Sequence, residues 1–409
     1  PFLPLSRRKD AMLYLLFILC VAVFVPVYGA GASSFREDVE FLSNYVEVVV
    51  LKSKDGMAQV AVVPAYQGRV MTSTATGPDG QSFGWINREL IASGKIEPHI
   101  NVFGGEDRFW MGPEGGQFSI FFAEDAPFDL EHWQTPACID TEPFTLVSHS
   151  QNEAVFTHMA TVSNRFGTTF KVKIDRTIRL NEPPDSSIGG VSKASIVDYV
   201  SENTITNVGD APWTKDSGLL SIWILGMFCP SPETTVVIPF RPGPETELGP
   251  KVNDAYFGKV PEDKLKVGDS VLFFSGDGTY RSKIGISPKR ALEVLGSYTP
   301  SQKQLTLVQY NKPKNATDYV NSMWEIQEHP YSGDVVNSYN DGPPEPGKKL
   351  LGPFYELETS SPAAALAPGA SLTHVHRTSH SIAEPGDLEN ITRENFGVSL
   401  EEITNALAK

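Results

Sequence analysis

Most of the chain beyond residue 45 consists of short segments in which hydrophobic and polar residues alternate. A period of two is typical of β-strands that bury one face, because successive side chains point to opposite sides of a sheet. Clear segments lie at residues 46–51, 58–63, 169–174, 204–206, 235–238, 270–274 and 305–310. Turn signals such as Pro78-Asp79-Gly80 and Gly276-Asp277-Gly278 separate many of them. The pattern predicts an all-β protein.

Helical periodicity is rare and is clearest at the C-terminal end. Residues 400–407 form a candidate helix that Ser399 is placed to cap, with Glu402 at the capping-box position. No change in composition divides the remaining sequence. We therefore predict one large antiparallel β-sandwich over residues 33–383, with two sheets packed face to face, and a helical tail over residues 384–409.

The first 32 residues follow a different pattern. A basic cluster at residues 7–9 precedes an apolar run at residues 13–25, and small residues follow at 30–32. This order is typical of a cleaved export signal. A membrane anchor is the alternative interpretation, but the apolar run is short compared with the roughly 20 residues of a membrane span. We predict an export signal at residues 1–32 and a periplasmic or extracellular protein without a stable membrane anchor.

Composition and charge narrow the possible functions. The chain has 409 residues, of which 40% are hydrophobic and 20% charged, as expected of a globular protein. Its formal net charge is −15. A nucleic-acid partner is not expected, because the chain has no surplus of basic residues to neutralise phosphates. The oligomeric state is not predictable from these numbers.

Cysteines and metal-ligand spacing indicate no cofactor. Cys138 and Cys229 follow the export signal, and pairing in an oxidising compartment and two free thiols are both compatible with the sequence. No CxxC or HExxH spacing is present. A divalent cation such as Ca²⁺ is not excluded, because residues 334–341 are rich in oxygen ligands, although a plain turn cluster is the commoner explanation. The ligands concerned are Asp334, Asn337, Asn340 and Asp341.

Residues 104–118 combine glycines, acids, an arginine and a tryptophan. The planar guanidinium of Arg108 suits a pair of hydroxyls or a carboxylate, and Trp110 can stack on the apolar face of a sugar ring. The acids that could bind hydroxyls or a cation are Glu106, Asp107 and Glu114. The alternative is a structured loop in which Arg108 pairs internally.

Two further pairs of polar residues share a strand face through their spacing. Glu356 and Glu358 are two residues apart, so they point the same way, and paired carboxylates can divide into an acid and a base. A salt-bridged edge strand is the alternative. His374 and His376 have the same spacing and are candidates for a general acid or a metal pair, or for the polar face of a late strand.

Four segments in order resemble the galactose mutarotase-like superfamily, which includes the aldose 1-epimerases. They are residues 62–71 (VVPAYQGRVM), residues 104–113, residues 203–212 with the spacing N-x-x-x-N-x-G-x-x-P, and residues 358–369. The resemblance implies a large antiparallel β-supersandwich and a carbohydrate ligand. It also implies that Glu358 acts as the catalytic base.

The sequence departs from the superfamily where aldose epimerases have two histidines. Trp223 stands in the strand expected to carry one of them, and is either a ligand platform or a core residue. The other is expected near Cys138, where the nearest histidine is His132, followed by Trp133. Lys283 is a charge inside an otherwise apolar strand, and could stabilise negative charge in a cleft or extend to solvent.

These observations lead to two main hypotheses. In the first, an exported carbohydrate-active enzyme uses Glu358 as base, one of His374, His376, His132 or Lys283 as acid, and Arg108 and Trp110 to hold the sugar. The reaction is epimerisation at the anomeric carbon, or lyase or hydrolase chemistry on an oligosaccharide. The alternative is a non-catalytic glycan-binding protein.

Overall fold

The computed structural model describes residues 33–182, 194–343, 347 and 350–407. The predicted export signal lies outside the described residues. The strands are β1 (Val49–Lys52), β2 (Gln59–Val63), β3 (Arg69–Thr74), β4 (Arg108–Gly112), β5 (Thr145–His149), β6 (Glu153–Ser163), β7 (Thr169–Leu180), β8 (Ser195–Asn207), β9 (Ser221–Phe228), β10 (Thr235–Pro239), β11 (Leu265–Val267), β12 (Val271–Ser275), β13 (Ser282–Ile286), β14 (Val294–Thr299), β15 (Gln304–Tyr310), β16 (Val336–Asn340), β17 (Tyr355–Ser360) and β18 (Ser371–Ile382). The helices are α1 (Phe35–Ser43), α2 (Arg88–Ser93), α3 (Ala137–Asp140), α4 (Glu245–Leu248), α5 (Pro385–Phe396) and α6 (Leu400–Asn405).

The strands form two large antiparallel sheets and one small one. The ten-stranded sheet has the order β11-β12-β10-β14-β15-β18-β8-β7-β6-β5, and the five-stranded sheet has the order β13-β16-β17-β9-β4. A three-stranded sheet, β1-β2-β3, approaches the edge of the five-stranded sheet through a bridge between Val70 and Asp107. The two large sheets pack face to face over shared hydrophobic clusters. The predicted all-β antiparallel sandwich is confirmed.

The C-terminal helices cover one end of the ten-stranded sheet. Ser399 and Glu402 form the predicted capping box at the start of α6. Leu388 and Phe396 of α5 and Ile403 of α6 are buried in a cluster with residues of the adjacent strands. The helical tail is therefore part of the packed structure.

Strand β17 separates two chemically different environments. It lies in the middle of the five-stranded sheet, between β16 and β9. Tyr355 and Leu357 are buried in the hydrophobic cluster on the side of the ten-stranded sheet. Because side chains alternate along a strand, Glu356 and Glu358 point to the opposite side. We call that side of the five-stranded sheet, which faces away from the ten-stranded sheet, the outer face.

The paired histidines of β18 lie between the two sheets and not on the outer face. His374 and His376 are fully buried, and each ring makes a 2.8 Å hydrogen bond with Thr359 Oγ1. Thr359 belongs to the side of β17 opposite Glu358. The prediction that either histidine supplies a proton in the same cleft as Glu358 is therefore wrong, because the five-stranded sheet lies between them.

Burial keeps these two histidines neutral. It lowers the pKa of His374 to about 3 and that of His376 to about 4. The neighbouring His376 lowers the pKa of His374 further, and the carboxylate of Asp107 only partly opposes the effect of burial on His376. Their role is to fill the interface between the sheets with a hydrogen-bonded polar cluster.

Two further observations concern the cysteines and the lengths of the helices. Cys138 and Cys229 are free thiols, and Cys138 is buried. Within the part of the chain that the structure describes, no helix is both long enough and apolar enough to cross a membrane.

The buried histidines predict a loss of stability in acid. Their contribution is complete above the unfolded pKa of about 6.5 and is lost as the pH falls toward 4, because only the unfolded chain binds the two protons there. We expect wild type to lose about 3–4 kcal/mol more unfolding free energy between pH 7 and pH 5 than the variant His374→Gln/His376→Asn, measured by urea denaturation. Gln and Asn keep the hydrogen-bonding nitrogen near Thr359.

Comparing wild type with this variant isolates the contribution of the two histidines to the pH dependence of stability. Burial raises the pKa of Glu356, so the contribution of this group has the opposite sign and favours the folded state as the pH falls. Its contribution is common to both proteins and cancels in the difference. Equal pH dependence of the two proteins would contradict the prediction.

Candidate active site on the outer face

Strand register brings polar residues from five strands together on the outer face. Glu358 pairs with Asn337 of β16 and Leu225 of β9, and Leu225 pairs in turn with Arg108 of β4. Residues paired across an antiparallel ladder point to the same side. By the same register the face holds Lys283, Gly285, Asn337, Tyr339, Glu356, Glu358, Trp223, Leu225, Arg108 and Trp110.

Glu358 is the centre of this arrangement. Its side chain is fully buried, and its Oε2 accepts hydrogen bonds from Lys283 Nζ at 3.0 Å and from Trp223 Nε1 at 2.9 Å. Its Oε1 has no partner among the described residues. The Lys283 ammonium also lies 4.6 Å from the centre of the Trp223 ring. Glu358, Lys283 and Trp223, all identified from the sequence, thus form one unit.

Neighbouring carboxyl groups keep Lys283 charged. Burial lowers its pKa, but the carboxyl groups of Glu358, Glu114 and Glu356 outweigh this effect and hold the pKa above its ordinary value. Lys283 is therefore a fixed positive charge at neutral pH. A group with a raised pKa gives up its proton reluctantly, which favours charge stabilisation over proton donation.

A second ion pair lies beside the first. Arg108 Nη2 is 2.9 Å from Glu356 Oε1, and both side chains are buried. The Arg108 guanidinium stacks over Trp110 at 4.2 Å from the ring centre. Burial raises the pKa of Glu356, and Glu358 adds to the rise against the opposing effect of Arg108. The two cations of the face are thus each matched to a carboxylate.

A narrow pocket opens above the first pair. Its lining residues are Gly112, Ser221, Trp223, Tyr256, Lys283, Val320, Ser322, Asp334, Asn337 and Ser360. Its interior has room for the centre of about one water molecule. Glu358 does not line the pocket itself but contacts Lys283 and Trp223, which do.

Glu114 lies near the same pocket, immediately after β4. Its backbone N–H donates to the hydroxyl of the pocket residue Ser322. Burial raises the pKa of its carboxyl group, although Lys283 and a hydrogen bond from Trp324 oppose the shift. Glu114 thus lies close enough to Lys283 and Glu358 to interact with their charges.

Two acids predicted to bind substrate belong instead to the protein core. Glu106 is fully buried and accepts hydrogen bonds from the Ser73 backbone, at 2.6 Å, and from the Tyr199 hydroxyl. Asp107 is fully buried and forms an ion pair of 2.6 Å with Arg176. The structure contradicts a ligand-binding role for both, because their partners are structural groups between the sheets.

His132 and Trp133 also separate. His132 is exposed, and its ring hydrogen-bonds to Asp129 at 2.7 Å. Trp133 is buried and stacks on Phe121, with its ring centre 6.5 Å from that of Trp110. The structure therefore does not place His132 with Glu358. Trp133 packs beside Trp110, whose ring contacts that of the pocket residue Trp223.

Three further residues near the pocket were not assigned to the site by sequence patterns. Tyr256 comes from the connection between β10 and β11, and Asp334 comes from the end of the long connection between β15 and β16. Trp324 belongs to the same long connection and is half-buried beside Glu114. The one available sequence signal for Trp324 is that a tryptophan stands alone in a polar loop. The sequence indicates Asp334 only as a possible Ca²⁺ ligand.

Several buried polar atoms of the outer face have no partner among the described residues. They are Glu358 Oε1, Arg108 Nε, Trp110 Nε1 and Ser221 Oγ. Each such atom costs about 1–3 kcal/mol if it stays unsatisfied. No group of three or more His, Cys, Asp or Glu side chains in the described part of the chain is arranged to hold a metal ion.

A model of one protein family matches residues 33–407. It is described as "Family of unknown function (DUF6786)". The chain belongs to this family. None of the curated proteins matches the sequence significantly.

Several solved structures resemble the fold. A putative aldose 1-epimerase from Escherichia coli K12 is 11% identical, with a TM-score of 0.49, over 83% of this chain and 100% of its own. A galactose mutarotase related enzyme from Lactobacillus acidophilus is 9% identical, with a TM-score of 0.46, over 82% and 97%. A putative mutarotase from Salmonella typhimurium is 9% identical, with a TM-score of 0.44, over 83% and 92%. At these identities and TM-scores the similarity carries no argument about the activity of this chain.

Because Lys283 and Glu358 are buried together, we expect a substitution of Lys283 alone to cost much more unfolding free energy than a substitution of both residues. Lys283→Met leaves a buried carboxylate without its cation, and we expect a loss of about 3–5 kcal/mol in unfolding free energy at pH 7, measured by urea denaturation. Lys283→Met/Glu358→Leu removes both charges and should recover much of that loss.

A matched control is the exposed pair of Arg179 and Glu153, whose side chains are 47% and 38% accessible. Arg179→Met should change stability little, because solvent screens exposed ion pairs. A loss below about 1 kcal/mol for Lys283→Met would show that the buried pair is not required.

Proposed function

We propose that this chain binds a carbohydrate in the pocket of the outer face and acts on it by acid–base chemistry, with Glu358 as the base. The observation that carries this proposal is that the two carboxylate oxygens of Glu358 have different surroundings. One oxygen is fixed by Lys283 and Trp223, and the other is buried without a partner among the described residues. Such an oxygen can accept a proton from a ligand that reaches it.

The surrounding side chains suit a sugar. Trp223 and Tyr256 present aromatic surface to the pocket, and Ser221, Ser322 and Asn337 present hydrogen-bonding groups. Sugars combine apolar C–H faces with hydroxyl groups, so this mixture matches both. Because Arg108 and Lys283 are already paired with carboxylates, we expect a neutral sugar and not an anionic one.

Lys283 has an electrostatic role in this proposal. Its ammonium group is 3.0 Å from Glu358 and lines the pocket, so it stabilises negative charge that develops on a ligand oxygen. Epimerisation at an anomeric carbon and lyase or hydrolase chemistry all require such a charge or its equivalent. Glu358 as base and Lys283 as stabilising charge have the same roles in all three reactions, which the assay distinguishes.

One observation favours a second function, glycan binding without catalysis. The pocket is narrow, and Glu358 lies behind Lys283 and Trp223. Entry of a sugar ring to Glu358 requires an outward movement of the Tyr256 loop or of the connection between β15 and β16. A ligand that stays at the mouth of the pocket would be bound and not transformed.

We also propose that the chain acts after export, on the strength of the basic cluster and apolar run at residues 7–25. Expression of the full sequence in a secreting host, followed by mass spectrometry of the protein outside the cytoplasm, should give a mature N-terminus near Ser33. Retention of residues 1–32 in the cell would contradict this.

Glu358→Gln separates the two functions. We expect a fall in kcat of at least about 100-fold with sugar affinity within about threefold, because glutamine keeps the shape of the side chain and cannot accept a proton. Turnover is measured by polarimetry on α-anomers of D-glucose, D-galactose and D-xylose, and by product release from neutral oligosaccharides. Affinity is measured by quenching of tryptophan fluorescence.

Glu262→Gln, on an exposed loop, is the matched control and should behave like wild type. Binding of a panel sugar with no turnover by wild type would favour the binding function. The absence of both binding and turnover across the panel would overturn the proposed function.

A further inference from the structure

Asp334 reaches the pocket from a main chain that is fixed on both sides of it. The N–H of Gly333 donates to the carbonyl of Tyr319 at 2.9 Å. The N–H of Val335 donates to the carbonyl of Ile286, also at 2.9 Å. The carboxyl group of Asp334 lies between these two bonds and lines the pocket. Its position relative to the five-stranded sheet is therefore set by hydrogen bonds of the main chain.

Strand β13 leaves room for this carboxyl group at Gly285. A Cβ atom on Gly285 would lie 2.0 Å from Asp334 Oδ2 and 2.8 Å from Asn337 Nδ2. Both distances are shorter than van der Waals contact permits. The glycine therefore allows the carboxyl group of Asp334 to approach the surface of the sheet beside Asn337.

The hydrogen bonds of Tyr256 have a fixed direction, because a backbone carbonyl defines where they begin. Asn337 Nδ2 donates to the carbonyl of Ile284 at 3.1 Å, and this contact identifies the nitrogen side of the amide. The same nitrogen lies 3.2 Å from the Tyr256 hydroxyl and donates to it. The hydroxyl then donates its own hydrogen to Asp334 Oδ2, at 2.7 Å. Tyr256 therefore has no hydrogen left for a ligand.

Asn253 supplies a second hydrogen to the same carboxylate oxygen. Its Oδ1 accepts from the N–H of Ala255 at 3.2 Å, so its Nδ2 is the group that donates to Asp334 Oδ2, at 3.0 Å. No group among the described residues donates to the other oxygen, Oδ1. Asp334 thus has one oxygen that is occupied by two donors and one oxygen that can accept a hydrogen from a ligand.

Lys283 provides a hydrogen-bond donor in the same pocket. Its ammonium carries three hydrogens, of which one is donated to Glu358 Oε2 at 3.0 Å. It lies 5.5 Å from the centre of the Tyr256 ring. Burial raises the pKa of Asp334, while the two donated hydrogen bonds and the charge of Lys283 oppose this rise. The pocket therefore combines an acceptor on Asp334 with a donor on Lys283.

The size of the pocket selects a small polar group. Its interior has room for the centre of about one water molecule, which is comparable to a hydroxyl group and much smaller than a sugar ring. A hydroxyl group both donates and accepts, whereas an ether or C–F group only accepts and a C–H group does neither. A sugar group that meets both Asp334 and Lys283 is therefore a hydroxyl.

We propose that this pocket recognises one hydroxyl group of the ligand, which donates its hydrogen to Asp334 Oδ1 and accepts a hydrogen from Lys283. This inference rests on the proposed function, because it names the part of the sugar that enters the pocket. Tyr256 and Asn253 are positioning residues that hold Asp334 as an acceptor. A site built around a buried acceptor rejects a sugar in which this hydroxyl is replaced, because the acceptor then loses its donor.

The test measures affinity, by quenching of tryptophan fluorescence, for D-glucose, D-galactose and D-xylose and for their monodeoxy and monofluoro analogues. We expect one position at which both replacements weaken binding to wild type roughly 10- to 100-fold, because the ligand no longer donates to a carboxylate. Fluorine accepts weakly and cannot donate. A loss with the fluoro analogue therefore identifies a hydrogen that the ligand donates.

Asp334→Asn should remove the preference for hydroxyl over fluorine at that position. Its amide oxygen takes the place of Oδ2, where Tyr256 and Asn253 donate, so its amide nitrogen takes the place of Oδ1 and presents a hydrogen in place of an acceptor. We expect the variant to bind the parent sugar and its fluoro analogue with affinities within about threefold of each other. A merely structural change would weaken all the sugars alike and keep their order.

Asp269→Asn, at a fully exposed side chain, is the matched control and should keep the wild-type preference. Thermal unfolding shows which variants keep the fold, and Asp334→Ala, which also removes the acceptor, carries the test if Asp334→Asn is destabilised. Binding by wild type that tolerates every deoxy and fluoro replacement would overturn the hydroxyl site and leave the proposed function standing. An unchanged preference in the folded Asp334 variants would do the same. Failure of wild type to bind any panel sugar overturns the proposed function and the hydroxyl site together.

Discussion

The buried ion pair between Lys283 and Glu358 is the interaction on which the outer face depends. A carboxylate that is fully removed from water is stable in its charged form only with a close cation and hydrogen-bond donors. Lys283 supplies the cation and Trp223 supplies a further donor, on the same oxygen. The pair keeps the lysine charged, orients the free oxygen of the glutamate, and brings β13, β17 and β9 into one polar unit.

Strand alternation makes this arrangement possible inside a hydrophobic protein. The same strand β17 that presents Glu356 and Glu358 to the outer face presents Tyr355 and Leu357 to the core. One sheet therefore has an apolar side that holds the sandwich together and a polar side with two matched ion pairs. Buried polar atoms that lack a partner among the described residues, such as Glu358 Oε1, reduce stability, and a protein commonly retains this kind of cost where it binds a ligand.

Position, and not residue type, separates functional groups from structural ones here. His374 and His376 have the right chemistry for proton transfer, but burial between the sheets holds them neutral and hydrogen-bonded to Thr359. Glu106 and Asp107 are likewise committed to core partners. Tyr256 is singled out by no local pattern, and Asp334 only as a possible Ca²⁺ ligand, yet both line the pocket, where the Tyr256 hydroxyl donates to Asp334. Loops fixed to a rigid sheet are where such residues commonly lie.

The sequence by itself determined the strands, the capped C-terminal helix and the common face of Glu356 and Glu358, because these depend on the local period of side chains and on short-range hydrogen bonds. It also singled out Lys283, as a charge within an apolar strand. Only the tertiary structure decided that Lys283 meets Glu358, that Arg108 meets Glu356, and that the histidines face inward. Each of these depends on the register between strands that are distant in the chain, and a shift of one residue would reverse every side chain. The place of Tyr256 depends on how a loop crosses the sheet, which the period of side chains does not encode.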